Sequence, residues 1–173
     1  MGTDKATLVV DGRPLVARPV EALRAAGLDV VAVGVPPGAT PGIFSALGVD
    51  CIPDELPGAG PLAGVATALR EGLRRGVDDV VILACDLPSV DTAAVGTLLS
   101  ELPAAQLLVA TRDARPAWPN ARWAVGLLSR LDASIAEGER GFRSVTDDAA
   151  TCELGEAIAD ADRPEDLPDQ PVR

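Results

Sequence analysis

Asp86 ends an abruptly closed apolar run. Residues 80–84 (Val-Val-Ile-Leu-Ala) lead through Cys85 to this carboxylate, and Pro88 follows two residues later. Five apolar residues are too few for a helix and predict a strand buried on both faces of a sheet, which Pro88 prevents from continuing. An acid at the carboxyl end of a central strand lies where open α/β sheets bind ligands; the other reading of Asp86 is a turn or helix-cap residue. Residues 53–64 form the second informative stretch, with three glycines, three prolines, Asp54 and Glu55, and they run straight into a helical pattern. Small residues such as Gly60 and Gly64 at a helix start let a ligand approach the free backbone N–H groups closely, although structural strand-to-helix loops are glycine-rich too. Lys5, the only lysine, stands near Gly2, where it can meet phosphate as a point charge or simply be a solvated terminal side chain.

Composition bounds the chemistry further. The chain has 173 residues and no histidine or tyrosine, which removes histidine bases, Ser–His–Asp triads and His-containing zinc sites. A net charge of −11 argues against nucleic acid or an anionic membrane as partner, but not against a nucleotide whose phosphates reach carboxylates through a metal ion. Cys51, Cys85 and Cys152 show no metal-ligand spacing and read as buried small hydrophobes of a reducing cytoplasm. No apolar run reaches about 18 residues, so a soluble, cytoplasmic protein is expected.

The elements that must position these residues alternate. Strands are expected at 6–10, 30–35, 50–52, 80–84, 107–111, 151–154 and 157–159, and helices from Pro14 to Gly27, at 42–47, after Pro61, from Ser89 or Asp91 to about Leu102, and at 127–137. Pro19 should kink the first helix or delay its start. In the helix after Pro61, Leu62, Val65, Ala66, Leu69 and Leu73 recur at helical spacing, with Arg70, Glu71, Arg74 and Arg75 on the other face. Residues 112–123, with two prolines and both tryptophans, read as irregular; Trp118 and Trp123 either pack over the sheet or stack a flat ring. Asp162 before Arg163 and Pro164 is well placed as an N-cap. Strand–helix–strand alternation predicts a parallel sheet in one α/β domain over residues 1–167, with 168–173 a loose tail.

Four stretches together resemble the molybdenum cofactor guanylyltransferases and their nucleotidyltransferase relatives. Residues 1–6 (Met-Gly-Thr-Asp-Lys-Ala) with 11–15 (Asp-Gly-Arg-Pro-Leu) resemble the second half of that family's opening signature. Gly60-Pro61-Leu62-Ala63-Gly64 matches its GPLAG loop letter for letter, with Asp54 at the acidic position upstream. Cys85-Asp86-Leu87-Pro88 matches the metal-binding strand end, and residues 162–167 resemble the closing motif D/N-T-P-E-D-L. The stretch Arg115–Trp123 looks like a segment some relatives carry after the fifth strand.

The resemblance implies a three-layer Rossmann-like nucleotidyltransferase fold with a mostly parallel central sheet. It implies transfer of GMP from GTP to molybdopterin, giving molybdopterin guanine dinucleotide and pyrophosphate, with Mg²⁺ held by Asp86 and Asp162. Lys5 and Asp86 are the implied catalytic residues. Gly2, Lys5, Asp54, Gly60, Pro61, Leu62, Gly64 and Asp86 are the implied nucleotide site, with Asp54 and the glycine loop reading the guanine. A molybdoenzyme or another cofactor-biosynthesis protein is the implied protein partner. The family's opening strand and its L-A-G-G-x-S-x-R segment have no counterpart here, because Met1 takes the place of an internal methionine. The expectation is a gene that reads further upstream, and two unpaired strand edges in the fold without that strand. At residues 35–37 (Val-Pro-Pro) relatives often carry an asparagine near the base. The alternatives are a relative using CTP or another phosphorylated acceptor, and a shortened, non-catalytic nucleotide- or partner-binding domain.

Overall fold

The computed structural model of the protein describes residues 8–10, 12–34, 41–147 and 149–161. Its first half contains β1 (Val9–Val10), β2 (Arg13–Pro14), α1 (Ala17–Ala25), β3 (Val31–Val33), α2 (Pro41–Ala46), β4 (Asp50–Ile52), α3 (Pro61–Arg75) and β5 (Asp79–Ile82). The second half contains α4 (Thr92–Ser100), β6 (Leu107–Arg112), β7 (Arg115–Ala124), α5 (Leu128–Ala136), α6 (Arg143–Thr146) and β8 (Ala150–Glu153). Two 3₁₀ turns, Val125–Leu127 and Gly155–Ile158, join the later elements.

Side-chain alternation along β6 builds the layers. Leu107 and Val109 pack with Leu62, Val65 and Leu69 of α3 and Leu131 of α5, whereas Leu108 and Ala110 pack with Leu98 of α4 and Cys152 of β8. A strand apolar on both faces must be covered on both, and helices supply the cover. α3 starts with Pro61 at its first helical position and ends at Gly76, whose φ of +70° places it in the left-handed region favoured at helix ends. Leu62, Val65, Ala66 and Leu69 are buried as their spacing predicts, but Leu73 is 51% exposed. Asp91, rather than Ser89, caps α4, its Oδ1 accepting from the Ala94 N–H at 2.9 Å. α1 begins at Ala17, so Pro19 falls in the first turn, where its missing N–H costs nothing, and the start is delayed.

The α/β layering is as expected; the ladders are mixed. Strand order is β5-β7-β6-β8, with β6 and β8 parallel and β7 antiparallel to both its neighbours. A separate pair, β3 and β4, is parallel. The largest difference from the sequence reading is β7 itself, a ten-residue strand where residues 112–123 look irregular. Its prolines are tolerated for a local reason. Thr111 pairs with Pro116 and Val109 with Ala121, so four residues of β7 oppose one of β6 between those positions, and Pro119 falls in this bulge. A bulge leaves residues unpaired, so a missing N–H there breaks no ladder.

Other differences are smaller. Val9 and Val10 form a short hairpin strand with Arg13–Pro14, while residues 6 and 7 lie outside the described range. The strand expected at 157–159 is part of the Gly155–Ile158 turn. Only Cys152 is buried; Cys51 and Cys85 are exposed. Burial pushes the Cys152 thiol up to about 11. The strand at 80–84 is shorter than expected, and Val80, Val81 and Ile82 are half-buried rather than enclosed.

That half-burial has a visible cause. Among the described residues β3 pairs only with β4, and β5 only with β7. Both strands line a cleft of about 870 Å³, which α1 borders through Val16, Val20 and Leu23 and α3 through Val65, Ala68 and Gly72.

Two glycines of α3 make opposite demands. A Cβ on Gly72 would meet Val80 Cγ2 at 2.6 Å and Val125 Cγ1 at 3.1 Å, so α3 lies on β5 through this absent side chain. A Cβ on Gly64 would meet nothing within 4 Å. Gly72→Ala is expected to lose about 1–3 kcal/mol by overpacking against stiff valines. Gly64→Ala is expected to gain about 0.5–1 kcal/mol from helix propensity. Urea denaturation of both variants checks the sign; a stable Gly72→Ala protein would show that α3 can lift off β5 freely.

Candidate functional site

Asp86 sits half-buried just beyond β5, in a segment held by Asn120 and Ala161. Asn120, only 3% exposed, accepts from the Ala84 N–H through Oδ1 at 2.8 Å. Its Nδ2 donates to the Ala117 carbonyl at 2.8 Å, so one amide ties the end of β5 to the bulge of β7. The Ala161 N–H donates to the Asp86 carbonyl at 2.9 Å, which brings the chain's last described residue to the same point. Ala161 in turn packs with Val10 and Leu15, so the β1–β2 hairpin abuts it.

The loop that opens α3 is built around Arg140. Gly60 has φ +84°, and a Cβ there would lie 2.8 Å from the Arg140 carbonyl oxygen. Glycine is required twice over, for conformation and for space. The same carbonyl accepts from the Leu62 N–H at 3.4 Å, and Arg140 Nη1 donates to the Gly58 carbonyl at 2.8 Å. Arg140 is held by Glu139, whose Oε1 accepts from the Arg140 and Gly141 N–H groups at 3.0 Å each; these bonds, from Gly141 first, hold the Glu139 carboxyl below its usual range. One of the helix-start donors offered to a ligand by the sequence reading is therefore satisfied within the protein. Leu62 is fully buried and belongs to the core.

Asp54 is also engaged in its own loop. Oδ1 accepts from the Leu56 N–H at 3.0 Å and the Thr67 hydroxyl at 3.4 Å, while Oδ2 has no partner among the described residues. Thr67 is fully buried, and its single hydroxyl proton is shared between Asp54 Oδ1 and Ala63 O, the latter at 3.0 Å. Its oxygen accepts from the Glu55 N–H at 3.4 Å, so this acidic loop is fastened to α3. Gly2, Lys5 and Asp162 lie outside the described residues.

Two cavities meet at the end of β5. The cleft already described is lined by Pro61, Gly64, Ala84 and Cys85 among others. A second cavity, of about 720 Å³, is lined by Ala84, Asp86, Arg112, Arg115, Trp118 and Asp160 among others. Trp118 stacks on Phe142, with ring centroids 4.7 Å apart and 12° between planes. Trp123 is fully buried in the core, so of the two tryptophans only Trp118 faces a cavity. For a divalent cation, Asp86, Asp113 and Asp160 line this cavity with hard oxygen donors, although no three acids, cysteines or histidines among the described residues come together closely enough to hold a metal ion by themselves. That set fits Mg²⁺, which binds through one or two carboxylates together with substrate phosphates and water.

Asn120, Arg112, Arg115, Glu153 and Arg140 are not singled out by the sequence. Their roles depend on strand register and on approaches across the fold that spacing does not reveal. A polar amide inside an otherwise apolar stretch, Asn120 before Ala121, is the one signal present.

Comparison with known proteins agrees with this arrangement. A structure of molybdopterin-guanine dinucleotide biosynthesis protein A from Archaeoglobus fulgidus superposes with a TM-score of 0.76 at 20% identity, covering 96% of this chain and 88% of that one. The fold is that of the nucleotidyltransferases. Residues 1–154 match the family described as the MobA-like NTP transferase domain, and the chain belongs to that family. A molybdenum cofactor guanylyltransferase from Rhizobium meliloti (strain 1021) is 31% identical over 144 residues, covering 81% of this chain and 65% of the relative, so the match spans just under two thirds of that protein. One from Rhodobacter capsulatus is 30% identical over 172 residues, covering 96% of this chain and 86% of the relative. No helix among the described residues is long and apolar enough to cross a membrane.

Proposed function

We propose that the protein transfers GMP from GTP to molybdopterin, forming molybdopterin guanine dinucleotide and releasing pyrophosphate. The observation that carries this reading is Asp86, a half-buried carboxylate on a strand end that borders two cavities. Two compartments meeting beside one acid suit a reaction that joins two phosphorylated substrates. The names of the relatives support guanylyl transfer in particular.

In this reaction an oxygen of the acceptor's phosphate attacks the α-phosphorus of GTP. The bond from that phosphorus to the bridging oxygen breaks, and pyrophosphate leaves with the electron pair. Such a step relies on positioning and charge stabilisation, which suits a chain without histidine. Asp86 would hold Mg²⁺ together with Asp162, which follows Ala161 in the chain. When bound, the ion offsets negative charge on the phosphates. Lys5, with Gly2 near it, would neutralise nucleotide phosphates. Asp54 would accept from the guanine N1–H and amino group, which its uncommitted Oδ2 suits, and the Gly60–Gly64 backbone would lie along the base.

Calorimetry with GTP and CTP, with and without Mg²⁺, tests the reading on the intact chain and on Asp86→Ala. GTP should bind in a Mg²⁺-dependent manner, with affinity falling at least about tenfold in the variant, roughly 1.4 kcal/mol. Preference for CTP would replace guanylyl by cytidylyl transfer. A folded chain that binds neither nucleotide would sink the proposal.

A further inference from the structure

We infer that Arg112 and Arg115, at the tip of the β6–β7 hairpin, form the seat for the acceptor's phosphomonoester, in the cavity that Asp86 also lines. The inference rests on the transferase reading above and assigns one of its two substrates to a particular cavity.

Register provides the first argument. Arg112 and Arg115 are direct cross-strand partners, and residues opposed in an antiparallel pair project to the same face. Like charges placed this way repel. A chain with net charge −11 has acids to spare, yet it neutralises this pair incompletely. Arg112 meets Glu156 at 2.9 Å, but its buried Nε has no hydrogen-bond partner. Arg115 is exposed, and its side chain has no hydrogen bond or ion pair among the described residues. Asp113 lies between them at the tip, exposed and without an ion pair among the described residues, its backbone N–H committed elsewhere. An anion accepting from both guanidinium groups would convert this repulsion into paired, charge-assisted hydrogen bonds.

The second argument is that the pair is held ready. Asp113 and Ala114 turn the chain with φ of +52° and +59°, a conformation that non-glycine residues adopt at a cost. Glu153 of β8 holds it: its carboxylate accepts from the Thr111 hydroxyl at 2.8 Å and from the N–H groups of Asp113, Ala114 and Gly155 at 3.1–3.2 Å. These bonds, the Thr111 hydroxyl foremost, hold the Glu153 carboxyl below its usual range. A strained turn fixed by four donors to one acid places both arginines with little freedom left to lose on binding.

Location decides which substrate is bound. Arg112 and Arg115 line the cavity that also contains Trp118 and the carboxylates of Asp86, Asp113 and Asp160, so the arginines are its anion-binding groups and the acids its cation-binding ones. Pro61 and Gly64 of the glycine loop line the other cavity. A phosphate seated on the arginines therefore reaches the strand end from its own compartment. The half-buried Trp118 lines the same cavity and gives the organic part of the acceptor a flat apolar neighbour.

The test uses inorganic phosphate as one probe and Mg²⁺ with GTP as the other, on the intact chain, Arg115→Ala, Arg115→Lys and Glu153→Gln. Phosphate should raise the melting temperature of the wild type above that in chloride of equal ionic strength. Arg115→Ala should weaken phosphate binding about tenfold or more, with Arg115→Lys intermediate and GTP affinity within about twofold of wild type. Without phosphate, Arg115→Ala should melt no lower than wild type, because it removes a repulsion rather than a bond. Glu153→Gln should weaken phosphate binding while Arg115 is still present. In a transfer assay, the acceptor KM should rise in Arg115→Ala while the KM for GTP holds. Equal phosphate binding by wild type and Arg115→Ala, or phosphate that competes with GTP, would overturn the assignment. Phosphate binding that depends on Arg115 in a chain that binds no GTP would instead overturn the transferase reading and leave only the anion seat.

Discussion

Trp123→Ala should lose about 3–5 kcal/mol of stability, the usual cost of deleting a buried indole. The ring is fully buried among Leu62, Leu69, Val109 and Leu131, and its Nε1–H donates to the Pro119 carbonyl at 3.3 Å. It also closes an aromatic cluster, tilted against Trp118 at 5.7 Å and against Phe142 at 6.0 Å. Few residues in a chain that is 2% aromatic can fill the space it would vacate. Domains of this size are stable by about 5–15 kcal/mol, so the variant should be partly unfolded or melt far lower. Denaturant titration followed by circular dichroism measures the loss directly. Because the variant keeps only Trp118, its fluorescence then reports the wall of the Asp86 cavity alone. A loss under about 1 kcal/mol would mean that the aromatic cluster closes over the gap.

Arg122→Met should cost about 2–4 kcal/mol, by leaving buried carbonyl groups without donors. Arg122 is 4% exposed and makes no ion pair among the described residues. Its guanidinium instead donates to Leu99 O at 3.2 Å, Leu102 O at 2.7 Å and Ala105 O at 3.4 Å. These carbonyls lie at and beyond the end of α4, where a cation also meets the negative end of the helix dipole. Leu102, with φ of +43° and a side chain 54% exposed, is held in a conformation its type disfavours. Arg122→Lys should recover only part of the loss, because one ammonium cannot span three acceptors in a fixed fork. Denaturant titration of both variants beside the wild type measures the difference. Equal stability of Arg122→Met and the wild type would show that water reaches these carbonyls.

Asp86 and the glycine loop were legible in the sequence for the same reason. Each is a local pattern, an apolar run stopped by an acid and a helix start rich in glycine. Such patterns mark where an element ends or begins, even though the strand's burial and the loop's hydrogen bonds depend on distant residues. The packed face of α3 was legible through Leu62, Val65, Ala66 and Leu69, while Leu73 shows that helical spacing does not mark where the neighbouring layer ends. β7 was illegible because Pro116 and Pro119 argue against a strand unless the bulge beside them is known. That omission also concealed the site's second wall. The Arg112–Arg115 pairing exists only once β6 and β7 are in register, and Glu153 reaches their turn from a strand about forty residues away in the chain. Arg140 reaches the Gly60 loop across a separation of 82 residues. Interactions at such separations have no period and no spacing to read.

The cleft between β3 and β5 also marks a boundary in the apolar packing. No ladder bond crosses it among the described residues, so the β3–β4 pair is joined to the larger sheet through helix packing. Its own apolar cluster, Val16, Val20, Phe44 and Val49, is distinct from the one beneath β6. Apolar packing is non-directional, so among the described residues no strand-pairing bond fixes the register of one cluster against the other. Residues 53–60 leave β4 for α3 and carry Asp54 with them. Thr67 fastens Asp54 to α3, which packs with β6 and β7, so the carboxylates of Asp54 and Asp86 belong to one side of this boundary and the β3–β4 pair to the other.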